Sequence, residues 1–277
     1  MRIFWILFLS LVTVLPAAQA YPLRVKTIVG KMSRNNGRQG YKILREVVFE
    51  TKDDRIKARE TWYVKNGDNM KVHVESADAN NPWSFEILYK GNKRQTLSSS
   101  RKLKTFARSE EFFESLFHDR SSRSLMNRLV AFRFVPEWAK TLPAPDYVDG
   151  QTKMQDEPFV RIVPANGTVT YALGSNRNLA SEGSSSTTLW VEQDSFLIQK
   201  GQLRSKSQFV NEDFQTVPGG LKLPKTQVIS WGNRVARVNM LTAEPTPVGP
   251  KTLALKPKST TEIPDNQVIK EFYSRFR

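Results

Sequence analysis

The chain has 277 residues, no cysteine and only two histidines. Without cysteine there is no disulfide framework, so a core alone must hold the fold, and a chain of this length can bury one large enough. The same absence removes thiolate metal ligands and the N-terminal cysteine that would carry a lipid anchor. His73 and His118 have no second ligand at metal spacing, so no metal site is expected. There is no Gly-flanked serine elbow and no glycine-rich phosphate loop closed by Lys-Ser or Lys-Thr. No pattern singles out a carboxylate pair for glycoside chemistry. These absences point to a binding protein without a cofactor rather than an enzyme.

Long apolar runs are also missing, with one exception. Ile3 to Leu15 follow the single cation Arg2 and precede Pro16-Ala17-Ala18-Gln19-Ala20. That is the layout of a secretory signal peptide cut after Ala20, and the run is short for a membrane span. A signal anchor is the alternative. The expectation is a periplasmic protein with no transmembrane segment after cleavage. The net charge is +15, or +14 once Arg2 is lost. Behind a leader the available polyanions are acidic lipid head groups, lipopolysaccharide and wall polymers, so nucleic acid is not an expected partner. The competing explanation is solvated lysines that guard strand edges.

What the chain does have is strand pattern. From Thr187 to Leu241 runs of β-branched and aromatic residues alternate with turns. Thr187 to Gln193 is followed by Phe196 to Lys200, Gln208 to Val210 and Phe214 to Val217. Pro218 to Pro224 reads as a loop, and Gly232-Asn233 as the turn between Thr226–Trp231 and Arg234–Leu241. This is an antiparallel meander. Upstream, Val25, Ile28, Val29 and Met32 recur at helical spacing and predict a helix over 23–34, ended by Asn35-Asn36-Gly37. Strands are predicted at 41–51, 56–65, 71–75 and 83–89, with weaker ones at 94–98 and 103–107. Val72 and Val74 point inward by alternation.

The pattern then changes. Ser109 caps a predicted helix with Phe112, Phe113, Leu116 and Phe117 on one side. Leu125, Met126, Leu129, Val130 and Phe132 or Phe134 form a second stripe that Pro136 ends. Short strands at 159–163 and 168–173 precede a Ser-rich stretch at 174–186. Residues 244–264 hold five prolines and read as a tail. Asn266 to Arg277 predicts a last short helix that needs a surface to pack on. The division is a leader at 1–20, one domain at 21–244 and a tail at 245–277. The fold class is α+β, mainly antiparallel β: an incomplete barrel with helices over its concave side.

Trp62, Val64, Val72, Val74, Phe85 and Ile87 can face one side of such a sheet. The helical residues Phe112, Phe113, Leu116, Phe117, Leu125, Leu129 and Phe132 can cover it, and Trp190 joins them as a candidate lining residue. These positions either make an ordinary core or line a cavity. The hydrophobic content of 39% argues mildly against a large cavity.

Three stretches carry a resemblance to the LolA/LolB/RseB-like lipoprotein-localisation superfamily. They are Glu60 to Lys65 before a turn, Thr188 to Asp194, and Leu221 to Pro224 leading to Trp231-Gly232-Asn233. The resemblance implies a half-open antiparallel barrel whose carriers hold acyl chains beneath their helices. It departs at Lys65-Asn66, where a carrier of the LolA type commonly has an Arg-Pro pair whose arginine latches the lid. The missing cysteine argues against an anchored receptor of the LolB type. The 33 residues after Glu244 are too few for the second domain of RseB-like proteins. The expected function is a soluble carrier for a lipoprotein or acylated lipid, with anionic head groups at its rim. The alternative is an envelope interaction or stress-sensor protein that binds a protein partner with the same scaffold.

Overall fold

A computed structural model describes residues 23–50, 55–97, 102–142, 157–165, 167–174, 187–255 and 265–277. The predicted leader and nearly all of the Ser-rich stretch lie outside the described residues. Helix α1 (Val25–Arg34) comes first. Strands β1 (Tyr41–Glu50), β2 (Arg55–Asn66), β3 (Asn69–Ser76), β4 (Ser84–Lys90), β5 (Lys93–Leu97) and β6 (Leu103–Ala107) follow. A helical insert holds a 3-10 turn (Phe113–Phe117), helix α2 (Ser122–Ala131) and a second 3-10 turn (Glu137–Lys140). The second group of strands is β7 (Val160–Ala165), β8 (Thr168–Gly174), β9 (Thr188–Glu192), β10 (Ile198–Gln202), β11 (Gln208–Val217), β12 (Leu221–Trp231) and β13 (Arg234–Pro245). Two helices end the chain, α3 (Pro250–Leu253) and α4 (Gln267–Arg275).

All thirteen strands form one open antiparallel sheet, in the order β6-β5-β4-β3-β2-β1-β13-β12-β11-β10-β9-β8-β7. Every neighbour is a sequence neighbour except one. The seam pairs β1 with β13, from Tyr41↔Pro245 to Glu50↔Val235, with a register shift between Leu44 and Arg45. Two meanders therefore run outward from that seam. Local turn chemistry sets their registers. Asn66 Oδ1 accepts from the backbone N–H of Asp68 and Asn69 at 3.1 and 2.9 Å and folds the β2–β3 turn. Gly67 in that turn has no room for a side chain, because a Cβ there would collide with the Asp119 carboxylate. The Gly232-Asn233 turn joins β12 to β13 as predicted, with Gly232 at φ 55°.

Two expectations need correction. The helix predicted from Ser109 is only a 3-10 turn. Ser109 folds the chain locally instead, its hydroxyl accepting from Glu111 N–H at 3.1 Å. Phe112 and Phe113 then part company. Phe112 stacks on Tyr89 and Phe113 on Phe209, each with ring centroids 4.1 Å apart. A regular helix keeps such neighbours on one side, so tertiary stacking overrides the local pattern. The second stripe ends early, at Arg133, whose φ of 63° breaks the helix before Phe134. Ser121 caps its start by accepting from Ser124 N–H.

The tail is more ordered than its prolines suggest. Strand β13 runs on to Pro245, and Lys71 on the outer face of β3 donates to the Ala254 carbonyl at 3.0 Å. Helix α4 lies on the other face. The described parts of the tail thus cover both sides of one sheet. Asn36, read from sequence as a turn residue, ties three elements together. Its buried amide donates to the carbonyls of Leu116 and Asp119, both at 2.8 Å, while its backbone bridges to Leu221. Asn36→Ala is expected to lower the stability of the protein by about 1–3 kcal/mol, read from the urea midpoint, because two buried carbonyls lose their donors.

Candidate functional site

Strand alternation puts Tyr41, Ile43, Arg45, Val47 and Phe49 of β1 on the hollow face. In register beside them stand Ala58, Glu60, Trp62 and Val64 of β2, then Met70, Val72 and Val74 of β3, then Phe85, Ile87 and Tyr89 of β4. The insert lies over this face through Phe112, Phe113, Leu116 and Phe117, with Leu125 and Leu129 of α2 behind them. Thirteen of the fourteen sequence-predicted site residues therefore meet in one buried cluster. Trp190 does not join them. It alternates with Leu189 and Val191, which point inward, and it lies half-buried on the outer face under Lys200, 5.2 Å from its ring centre.

The space between sheet and insert is occupied by helix α4. Phe272 meets Phe49 edge-on at 5.0 Å, Tyr273 meets Phe85 at 5.0 Å, and Phe276 meets Trp231 at 5.4 Å. Ile269, Phe272, Tyr273 and Phe276 are all at most 1% exposed. Asn266 caps the helix by accepting from Val268 and Ile269 N–H. Three arginines hold its far end. Arg94 of β5 donates to the Tyr273 carbonyl at 3.0 Å. Arg275 donates to Glu111 at 2.6 Å and to Ser207 at 2.8 Å. Arg277 reaches the middle of the hollow.

There it completes a buried charge cluster that the sequence reading missed. Arg277 Nε donates to Glu60 Oε1 at 3.1 Å, and Trp62 Nε1 donates to Glu60 Oε2 at 2.8 Å. Arg277 Nη1 is 3.9 Å from Glu114, which accepts from Arg45 at 2.7 Å and lies 3.2 Å from His118 Nε2. The Arg277 guanidinium also lies over the rings of Trp62 and Phe272. The signal for Glu60 was available, since it has the inward parity of Trp62 and Val64. Arg45 likewise shares the parity of Ile43 and Val47. The role of Arg277 had no such signal.

Burial governs how these groups titrate. Burial alone would lower Arg277, but Glu60 and Glu114 outweigh it and raise its pKa above the ordinary value. Burial pushes Glu114 up, yet Arg45, the hydrogen bonds from His118 and Arg45, and Arg277 together hold it well below the usual 4.5. Burial lowers His118 from 6.5 against the upward pull of Glu114, so it is neutral and donates to that carboxylate. Arg277 Nη2, Arg45 Nη1 and Glu114 Oε2 have no hydrogen-bond partner among the described residues.

Two pockets beside the insert, one at Arg45 and Phe117 and one at Met32 and Phe196, measure about 10 Å³ each. That is at the lower limit for a single water. Larger grooves lie at the surface, one of about 530 Å³ beside Trp138 and Phe159 and one of about 380 Å³ between Glu110 and Arg204. Among the described residues no group of three or more metal-ligating side chains converges, and no helix is long and apolar enough to cross a membrane. The buried cluster fixes a pH response. His118 and Glu114 both have depressed folded-state values, so the unfolded chain binds more protons than the folded one on acidification. The stability these two groups contribute is expected to be lost as pH drops below about 6.5 for His118 and below about 4.5 for Glu114, while Asp119, raised by its burial to about 7, contributes in the opposite sense as pH falls through that value. His118→Gln should remove the first part of that loss in urea titrations from pH 8 to pH 4.

No protein-family model and no curated protein matches the sequence. Solved structures do match. A LolA superfamily protein from Nitrosomonas europaea is 13% identical with a TM-score of 0.53, over 84% of this chain and 98% of that one. A domain assigned to outer-membrane lipoprotein sorting from Vibrio parahaemolyticus is 10% identical with a TM-score of 0.51, over 82% and 95%. Identities this low speak to fold alone. The sheet order, the insert over its concave face and these two structures agree that the chain has a half-open antiparallel barrel of the LolA type.

Proposed function

We propose that this is a non-catalytic binding protein of the bacterial envelope, exported by its leader, in which helix α4 closes the hollow and the outer surface does the binding. The observation that supports this is the depth of α4. Four apolar side chains buried to this degree stabilise the closed state by roughly 6–12 kcal/mol. Withdrawing Arg277 would also leave Glu60 buried without its cation, at a cost of about 3–5 kcal/mol. One acyl chain of ordinary length supplies roughly 10 kcal/mol. The chain therefore gains nothing by exchanging α4 for a lipid tail.

The second reading is the carrier. It assigns the hollow-facing residues Trp62, Val64, Val72, Val74, Phe85 and Ile87, with the insert, to the acyl chain of a lipoprotein or lipid in place of α4. The apolar and aromatic lining favours it, as does the lipoprotein-sorting assignment of the Vibrio domain. In both readings the protein forms no bond and needs no cofactor.

Purification from its own host, solvent extraction and mass spectrometry separate the two. The closed reading expects no stoichiometric acyl lipid and no saturable binding of a fluorescent fatty acid. It also expects that binding to emerge in the double variant Phe272→Ala/Phe276→Ala. Stoichiometric lipid in the unaltered protein overturns it in favour of the carrier. Arg277→Ala is expected to cost about 3–5 kcal/mol of stability by urea denaturation, with a much smaller loss when Glu60→Gln is added to it.

A further inference from the structure

We infer that the β5–β6 hairpin is a docking blade for an anionic lipid surface. This rests on the reading that the scaffold binds with its outside. Between Leu88 and Arg108 the sequence has seven basic residues and no acidic one. Two of the seven are engaged inside the protein. Arg94 is buried on the Tyr273 carbonyl, and Arg108 bonds Asn92 and the Gly67 carbonyl beside Asp68. Lys90, Lys93 and Lys104 are exposed. Asp68, at the turn beside the hairpin, pairs with Arg108 and Arg128, and Arg128 also holds the buried Asp119.

The hairpin is the edge of the open sheet, and β6 is exposed along its whole length. It nevertheless carries two large apolar side chains in water, Leu103 at 56% and Phe106 at 49% exposure. Register decides where they point. Phe106 pairs with Arg94 and so with Tyr89, which places it on the hollow side, in company with Lys104. Leu103 pairs with Leu97 on the opposite side, where Lys93 also stands. Each face of the blade thus couples one exposed large apolar group with at least one exposed lysine.

That two-sided arrangement selects the partner. A protein docking on either face would leave the other apolar group in water. A strand adding to the edge would meet lysines, the residues that guard edges against such pairing. A fluid interface closes around both faces at once, and its anionic head groups match the acid-free lysines. The unpaired backbone of β6 keeps the insertion shallow, at head-group level, because hydrocarbon cannot hydrogen-bond it.

Vesicle co-sedimentation of the protein lacking residues 1–20 tests this. Vesicles of phosphatidylcholine with a third phosphatidylglycerol should bind it, pure phosphatidylcholine should not, and 0.5 M salt should release it. Each exposed lysine is worth about fivefold. Lys93→Gln/Lys104→Gln should therefore weaken binding about 25-fold, while Arg204→Gln/Lys225→Gln, cations outside the hairpin, should leave it unchanged. Because the chain has no cysteine, Phe106→Cys gives a single site for an environment-sensitive dye. Its emission should shift to the blue on anionic vesicles and be quenched by shallow lipid quenchers only. No binding to anionic vesicles, equal loss in the two double variants, or a dye that stays in water on bound vesicles each overturns the inference. Failure of vesicle binding with α4 still closed sinks the lipid partner alone. Acyl uptake into the hollow sinks the closed reading and leaves the blade standing.

Discussion

The burial of Arg277 against Glu60 is the constraint around which the interior is arranged. A carboxylate on the hollow face of a sheet is costly to desolvate unless a cation meets it there. Here the cation is delivered by α4, which enters beneath the insert and places its guanidinium between Trp62 and Phe272. The same helix brings Phe272, Tyr273 and Phe276 against rings from β1, β4 and β12. Electrostatics and apolar packing therefore recommend the same position, and neither is satisfied with α4 elsewhere. The cluster is not perfectly paired, as the orphaned nitrogens of Arg45 and Arg277 show. Each buried polar atom left without a partner subtracts from the stability that the paired ones supply.

Much of this architecture was legible in the residues. The strands were visible because alternation and turn residues agree at nearly every boundary. Asn66-Gly67 and Gly232-Asn233 folded where their chemistry required. The resemblance carried by Trp62, Trp190 and the Leu221-to-Trp231 stretch led to the right fold. The 3-10 turn at Phe113 escaped because its conformation is set by rings it meets across the molecule, Tyr89 and Phe209, which no local window contains. Trp190 was placed on the wrong face because its neighbours Leu189 and Val191 are also apolar, and parity alone did not choose between them. Helix α4 was foreseen as an element that needed a surface. Which face of the sheet it would take was not foreseeable, since its stripe of Ile269, Phe272, Tyr273 and Phe276 suits either. The terminal arginine reads as a solvated charge until Glu60 is seen opposite.

A filled hollow moves the interest of the molecule outward. The concave face that gives the scaffold its shape is occupied. Its outer face is partly occupied too, with Lys71 and Glu86 buried beneath the start of the tail. Solvent meets the rest of the outer face, where the Lys42 and Arg59 side chains reach into it, and the periphery: the β5–β6 edge, the loop ends and the surface grooves beside Trp138 and Arg204.

The seam between β1 and β13 also sets an order of assembly. Its two strands lie about two hundred residues apart in the chain, so the inner edge of β1 has no partner until β13 has been made. Pairing over that separation is slow, and both half-sheets stay open-edged in the meantime. Helix α4 emerges later still. A chain built this way reaches its compact state only when segments from both of its halves are present together.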